Sequence, residues 1–263
     1  IRQLVKDRPM EAALVVTPIP SHHAISVYLS TNGIHNLTET TWASMYRQAQ
    51  EMVQISRRNS VIARVAENFF RFPADRFAQT LRDSGYIGKI GRIFSYADHT
   101  GYHNNSRWIV FARQHPDWVQ CIEHAMTHPA FYSEPQRFYN KEILNARFFH
   151  FPNDFVVMDT GSGYVKGYLG RHPRSGYTEW QGELGTLVSS VPGSMWGANP
   201  TMDLRKIPED RLAPAQEARG DLYGGGLALT CSPVEIVMND KVWDKISAQT
   251  PEGIIEYINP FQY

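Results

Sequence analysis

The chain has 263 residues, 42% apolar and 12% aromatic, enough to bury a sizeable core in one large domain or two smaller ones. Lysine plus arginine equals aspartate plus glutamate at 26 each, and no basic run occurs, so nucleic-acid and acidic-membrane partners are not expected. No apolar stretch approaches a membrane span, and the start is not leader-like. Two distant cysteines, Cys121 and Cys231, do not make a disulfide framework, and a reducing cytoplasm is the expected setting.

In chain order, Ile1 to Pro9 is polar and helix-like, with no G-x-G-x-x-G behind it. Ala12–Thr17 is a short apolar run suited to a buried parallel strand, stopped by Pro18 and Pro20. Ser21 is placed to cap a helix over 21–32, with Gly33 at its C-terminal turn. Ile34–Glu39 is the second strand. Thr41 or Ser44 opens the next helix, where Met45, Ala49, Met52 and Val53 share one face. Val61–Val65 is the third strand, and Asn68 and Arg71 fall in the loop after it. Pro73 suits a first helical turn, Phe77 and Leu81 lie four apart, and Gly85 and Gly88 end that helix.

This alternation predicts a parallel sheet with helices on its faces. Beyond Gly88 the pattern changes. Lys89–Ala97 reads as a strand and Tyr102–Ala112 as a helix. Ala146–Phe151, Phe155–Asp159, Val165–Gly170, Tyr177–Gln181 and Thr186–Ser190 are short aromatic or β-branched runs between Gly, Pro and Asn. They predict a mainly antiparallel sheet. Residues 191–223 read as a long loop, and Val234–Trp243 and Gly253–Tyr257 as late strands. The expected fold is therefore α/β: a partial Rossmann-type parallel sheet over 1–88, then an α+β domain with a large open sheet over 89–263, the boundary near Ile87–Lys89.

Five segments carry a family resemblance. They are VVTPIPSHH, GIHNLTETTWA, ENFFRFP, LRDSGYIGKIGRI and GRHPRSGYTEWQGELGTL. In order and spacing they resemble the Gfo/Idh/MocA family of oxidoreductases, the glucose–fructose oxidoreductase and inositol dehydrogenase group. The match covers about the first 110 residues and roughly 146–190. The resemblance implies a Rossmann domain for NAD or NADP, a C-terminal domain on a large open sheet, and hydride transfer at a sugar or polyol carbon; an exposed open sheet with aromatic strands also predicts homo-oligomers. Some relatives use the nicotinamide transiently in glycoside cleavage.

Three departures bear on activity. The first strand and glycine loop are not seen, so weak or absent NAD binding is expected. The family's E-K-P becomes Glu39-Thr40-Thr41, and with Thr40 the acid/base lysine is lost. Its H-x-x-D becomes His103 followed by Ser106. The alternative readings are a catalytically impaired or purely binding member, or an enzyme that uses NAD to assist glycoside cleavage.

Thr17 and Pro18 follow a strand's carboxyl end, where ligands of open α/β sheets bind. With His22, Glu39 and Asn68 they are the expected cofactor-side residues, although a proline there can simply end a strand, a helix histidine can simply pack, and Glu39 can simply cap. Removing hydride from a carbinol needs a base for the hydroxyl proton. Threonine cannot titrate there, whereas imidazole changes charge near neutrality, which makes His103 the candidate catalytic residue. Tyr102, Asn104, Asn105 and Arg107 beside it suit sugar hydroxyls and carboxylates, or merely a helix start.

No metal is expected, because His99, His103, His124 and His128 do not make a compact ligand set. Lys166, Arg171, His172 and Arg174 suit an acidic sugar or an exposed sheet face. Gly224-Gly225-Gly226 lacks the strand, helix and Lys of a phosphate loop and reads as a turn.

Overall fold

Short β-branched and apolar runs separated by helices of about three turns do form a parallel sheet, but only over the first quarter of the chain. The computed structural model describes residues 1–97, 101–134, 137–161, 177–189, 201–207, 209, 212, 230–238, 245–250 and 253–258. The chain folds as two compact units, Ile1–Asn68 and Phe69–Tyr263.

The first unit runs α1 (Arg2–Asp7), β1 (Ala12–Val15), α2 (Ile19–Thr31), β2 (His35–Thr38), α3 (Tyr46–Arg58) and β3 (Ala63–Val65). β1, β2 and β3 pair in that order, all parallel. Helix α2 begins two residues before the expected start. Pro18 and Pro20 pre-set its first turn, and Ser21 lies inside it, its hydroxyl donating to Pro18 O and Thr17 Oγ1. Gly33 follows the helix at φ +75°, which a residue with a Cβ adopts only under strain. Helix α3 starts after Met45, not at Thr41 or Ser44; the Met45 N–H donates to Gln48 Oε1.

Val15, Leu29 and Ile34 form this unit's small core. Beside it, Asn36 on β2 accepts a hydrogen bond from Ser26 and donates to Ser30, all three buried. That polar seam fastens α2 to the sheet. Leu14 and Leu37, register partners on β1 and β2, are exposed on the opposite face.

The second unit contains a 3-10 turn (Phe69–Arg71), α4 (Pro73–Ser84), β4 (Ile90–Ala97), α5 (Gly101–Ala112), β5 (Trp118–Glu134), β6 (Arg137–Phe151), β7 (Phe155–Gly161), β8 (Thr178–Gly182), β9 (Gly185–Ser189), β10 (Thr201–Lys206), β11 (Thr230–Met238), β12 (Lys245–Thr250) and β13 (Gly253–Ile258). Its ten strands are ordered β13-β12-β11-β10-β9-β8-β4-β7-β6-β5. All pairings are antiparallel except β4 with β7. The fold is thus α/β, a small parallel sheet followed by a large mixed sheet that is mostly antiparallel.

The units part at Asn68 and Phe69, not near Ile87–Lys89. Packing is the reason. Phe77, Ala78 and Leu81 of α4 share one core with Ile93, Trp108, Val157, Trp180 and Leu187. Every residue from Ala74 to Leu81 is buried, so α4 is an interior helix rather than an amphipathic cover. Two of its buried polar residues are satisfied internally: Gln79 Nε2 donates to Phe70 O and Thr80 Oγ1 to Arg76 O.

Three strands, β5, β10 and β12, lie where none was expected. β10 falls within the stretch read as a loop. Its alternation is only Met202 and Leu204, too short to show in sequence, yet both are buried against the core. β12 was unassigned, and β11 begins earlier than the run at Val234–Trp243. The run Val165–Gly170, the cluster Lys166, Arg171, His172 and Arg174, and Gly224–Gly226 lie outside the described residues.

The GELG turn between β8 and β9 tucks under the loop before β4. The N–H of Leu184 donates to Ile87 O and that of Glu183 to Lys89 O. A Cβ on Gly182 would stand 2.2 Å from Ile87 O, so backbone must move for any side chain there. Gly182→Ala is expected to destabilise the second unit by about 1–3 kcal/mol, as overpacking does; urea unfolding measures it.

Candidate functional site

In each unit the carboxyl ends of parallel strands gather polar residues. In the first unit β1 ends at Val15 and β2 at Thr38, and the Glu39 N–H continues the ladder by donating to Val15 O. Thr17 and Pro18 are exposed in the turn into α2, and Glu39 is half-buried after β2. The Glu39 carboxylate makes no hydrogen bond or ion pair among the described residues. Asn68 is exposed at the unit's end, its own N–H donating to Glu67 Oε1.

His22 differs from these. It is fully buried, with Nε2 2.6 Å from Thr17 O and Nδ1 2.8 Å from Thr41 O. It touches both strand-end turns from beneath instead of lining their outer surface.

In the second unit the N-terminal half of α5 lies against the carboxyl ends of β4 and β7. Arg107 is its hub. The guanidinium donates from Nε to Asp75 Oδ1 at 2.9 Å, from one amino group to Asn104 Oδ1 at 3.3 Å, and from the other to Thr178 Oγ1 at 3.1 Å. Asn104 passes the network on, donating to Asp159 Oδ1 at 3.3 Å. Asp159 also accepts from Trp108 Nε1 at 2.9 Å and from Arg147 at 2.5 Å. Arg147 reaches further, to Asn105 Oδ1 and Gly101 O. Asp75, Asn104, Arg107, Asp159 and Thr178 are all buried. Two carboxylates thus face two guanidiniums, a balance that buried charge requires.

His103 is 6% exposed. Its ring stacks on Phe69 with centroids 3.9 Å apart and meets Tyr102 at 4.1 Å, tilted by 40°. Tyr102 is half-buried and Asn105 exposed. Of the four residues expected to hold substrate, Arg107 and Asn104 face inward with their polar groups bonded inside the protein, and Asn105 braces Arg147. Tyr102 keeps open surface. His99 lies outside the described residues, and His124 and His128 are on β5, apart from this network in sequence and strand. Among the described residues no three His, Cys, Asp or Glu side chains are grouped to hold a metal.

Asp75, Arg147, Asp159 and Thr178 were missed in sequence. A signal existed for Asp159. In Phe155-Val156-Val157-Met158-Asp159, alternation puts the carboxylate on the same face as Phe155 and Val157, which is the buried one. Asp75 carried no such mark, because in sequence only Phe77 and Leu81 flag a buried face on α4.

No protein-family model matches this chain, and no curated protein matches it. Solved structures do. An NAD-binding oxidoreductase from Klebsiella pneumoniae is 19% identical, with a TM-score of 0.59 over 80% of this chain and 60% of that one. An oxidoreductase from Agrobacterium radiobacter, solved with NAD+, L-tartaric acid and magnesium, is 15% identical, with a TM-score of 0.58 over 80% and 61%. Biliverdin reductase from Synechocystis sp. PCC 6803, solved with biliverdin and NADP+, is 16% identical, with a TM-score of 0.61 over 92% and 69%. The chain therefore has the fold of NAD(P)-binding oxidoreductases and spans about 60% of the length of the first two.

Burial pushes the Asp75 carboxyl above its ordinary value of 3.8, while the charge and hydrogen bond of Arg107 pull it back. A carboxyl raised in the folded state holds its proton to higher pH than in the unfolded chain. Its contribution to stability is therefore complete below 3.8 and is lost as pH rises through the raised value. The unfolding free energy of the wild type minus that of Asp75→Asn is expected to fall with rising pH across this window. Urea titrations at stepped pH check it, and a flat or rising difference would contradict it.

Proposed function

We propose that this protein is an NAD(P)-dependent oxidoreductase of Gfo/Idh/MocA type that moves hydride to or from a sugar or polyol carbon. The observation that carries the reading is the strand-tip rim of the first unit. There, exposed Thr17 and Pro18 and the carboxylate of Glu39, unbonded among the described residues, follow the carboxyl ends of adjacent parallel strands, the place where such sheets take nucleotides. The fold shared with NAD- and NADP-bound oxidoreductases supports it.

The residues present fit part of a dinucleotide. Glu39 and Asn68 offer an acceptor and an amide to ribose hydroxyls and the carboxamide, and Thr17 and Pro18 give a wall. A glycine-rich turn to cradle the diphosphate is not found after β1, β2 or β3. The reading therefore assigns these residues to the nicotinamide and its ribose. When bound, the nicotinamide supplies the hydride acceptor or donor.

In the second unit His103 takes or returns the hydroxyl proton, and Tyr102 and Asn105 face the substrate. Asn104 and Arg107 serve it by holding α5. Thr40 stands at the family lysine's position, and this substitution favours a second reading in which the chain binds a carbohydrate without turning it over. Either reading is compatible with a cytoplasmic protein; among the described residues no helix is long and apolar enough to cross a membrane.

Saturation-transfer NMR with NAD+ and NADP+ tests the cofactor assignment. The nicotinamide and its ribose protons are expected to receive more saturation than the adenine protons; uniform or absent transfer overturns it. In a turnover assay over sugars and polyols, His103→Ala is expected to abolish activity by at least about a hundredfold, the scale of general acid–base catalysis, with Thr40→Ala close to wild type. Equal losses in both variants overturn His103 as the base, and no turnover in the wild type favours the binding-only reading.

The open face of the large sheet is proposed as the homo-oligomer surface. Trp118, Ile122 and Met126 alternate on edge strand β5, and the pairing register sets Leu144 and Met158 on the same side. All five are exposed. Exposed apolar side chains grouped on one sheet face mark an interaction surface. Light scattering of the wild type should show self-association, and Ile122→Asp should shift it toward monomer without changing its circular dichroism.

A further inference from the structure

We propose that His22 is a positioning residue whose ring ties the turn after β1 to the turn after β2, fixing the spacing of the rim assigned above to the nicotinamide nucleotide. The ligand part of this inference rests on the oxidoreductase reading; the tie itself does not.

His22 sits in the first turn of α2, with no solvent exposure. Its two nitrogens reach in different directions, Nε2 to Thr17 O at 2.6 Å and Nδ1 to Thr41 O at 2.8 Å. Thr17 directly precedes α2, and Thr41 lies two residues beyond Glu39. The last ladder bond between the strands, from the Glu39 N–H to Val15 O, is on the inner side of the rim. Beyond that bond, among the described residues, the imidazole is the hydrogen-bonded link across the two turns. Elsewhere α2 is held by the Asn36 seam and by the apolar contacts of Leu29. Losing the ring's bonds therefore frees the turns and leaves the helix docked.

Donor counting sharpens the assignment. A carbonyl oxygen only accepts. An imidazole with one N–H can hold one of the two turns, and a ring with both nitrogens protonated holds both. Phenylalanine matches the ring's shape and holds neither. Glutamine carries both its donors on a single nitrogen, so it reaches one turn. These two substitutions separate hydrogen bonding from packing.

Amide hydrogen exchange on the full chain without nucleotide reads the tie. His22→Phe is expected to speed exchange of the Glu39 N–H, which closes the ladder onto Val15 O at the rim, by about tenfold, the scale of one lost buried hydrogen bond, while Ile25–Ser30 of α2 stay within about twofold of wild type. His22→Gln falls between. Unchanged exchange at Glu39 overturns the tie, and so does an equal rise along α2, which would make His22 an ordinary core residue. If His22→Phe does not fold, His22→Gln is read by the same two outcomes.

NADH fluorescence titration is then run on the same proteins. Weaker binding by the loosened variants supports the positioning role. Loosened turns with unchanged affinity overturn that role and leave the tie. A wild type that gives no signal with NADH or NADPH, but shows the expected exchange pattern, counts against the oxidoreductase reading and leaves the tie standing.

Discussion

Burying a guanidinium obliges the surrounding elements to present acceptors at fixed positions, and Arg107 imposes that obligation on the second unit. It is met from three directions: Asp75 on α4, Asn104 one turn back on α5, and Thr178 on β8. Removing one partner of such a group leaves an uncompensated charge in a low-dielectric interior. The helices and the sheet therefore cannot slide independently. The second guanidinium, Arg147, repeats the arrangement with Asp159 and reaches the N-terminal end of α5 through Gly101 O. Between them, Asn104 joins the two ion pairs. The apolar core beneath, with Trp108 and Trp180 fully buried, supplies the larger share of the driving force but no comparable directional constraint.

This arrangement explains how His103 comes to be where it is. Its neighbours Asn104 and Arg107 anchor α5 from within, so the next residues along the helix can carry surface chemistry. Tyr102 and Asn105 then stand at the outer side of a rigid scaffold, and His103 is held against Phe69 by ring stacking. The first unit uses a different device. Its sheet has three strands and a small core, and its strand-end turns are bridged by a histidine ring whose two nitrogens lie within hydrogen-bonding distance of two backbone carbonyls. One unit is organised by paired charge, the other by a single aromatic donor.

Much of the fold was legible because the signals were local. β1, β2, β3, β4 and α5 fall within the predicted runs, give or take two residues at their ends. Pro73, Gly33, Gly85 and Gly88 stand at the positions that their backbone preferences dictate. Helix starts were less legible. Ser21, Thr41 and Ser44 are all competent caps, and the chain used none of them, because Pro18 and Pro20 organise α2 and Gln48 closes back on Met45. β10 was hidden because two alternating apolar residues do not distinguish a strand from a loop. Only pairing with β9 and β11 makes it one.

The sequence by itself determined the strand–helix alternation, the glycine and proline punctuation, and the polar identity of the residues after each strand, since these follow from the dihedral preferences and periodicity of neighbouring residues. Tertiary structure alone decided that α4 belongs to the large sheet's core, that Arg107 and Asn104 turn inward while Tyr102 stays at the surface, and that His22 bridges two turns. Those outcomes depend on which groups from distant segments arrive at hydrogen-bonding distance. Asp75 and Arg107 are 32 residues apart, and Arg107 and Thr178 are 71 apart. Nothing in the local pattern of one segment specifies the partner that another will bring.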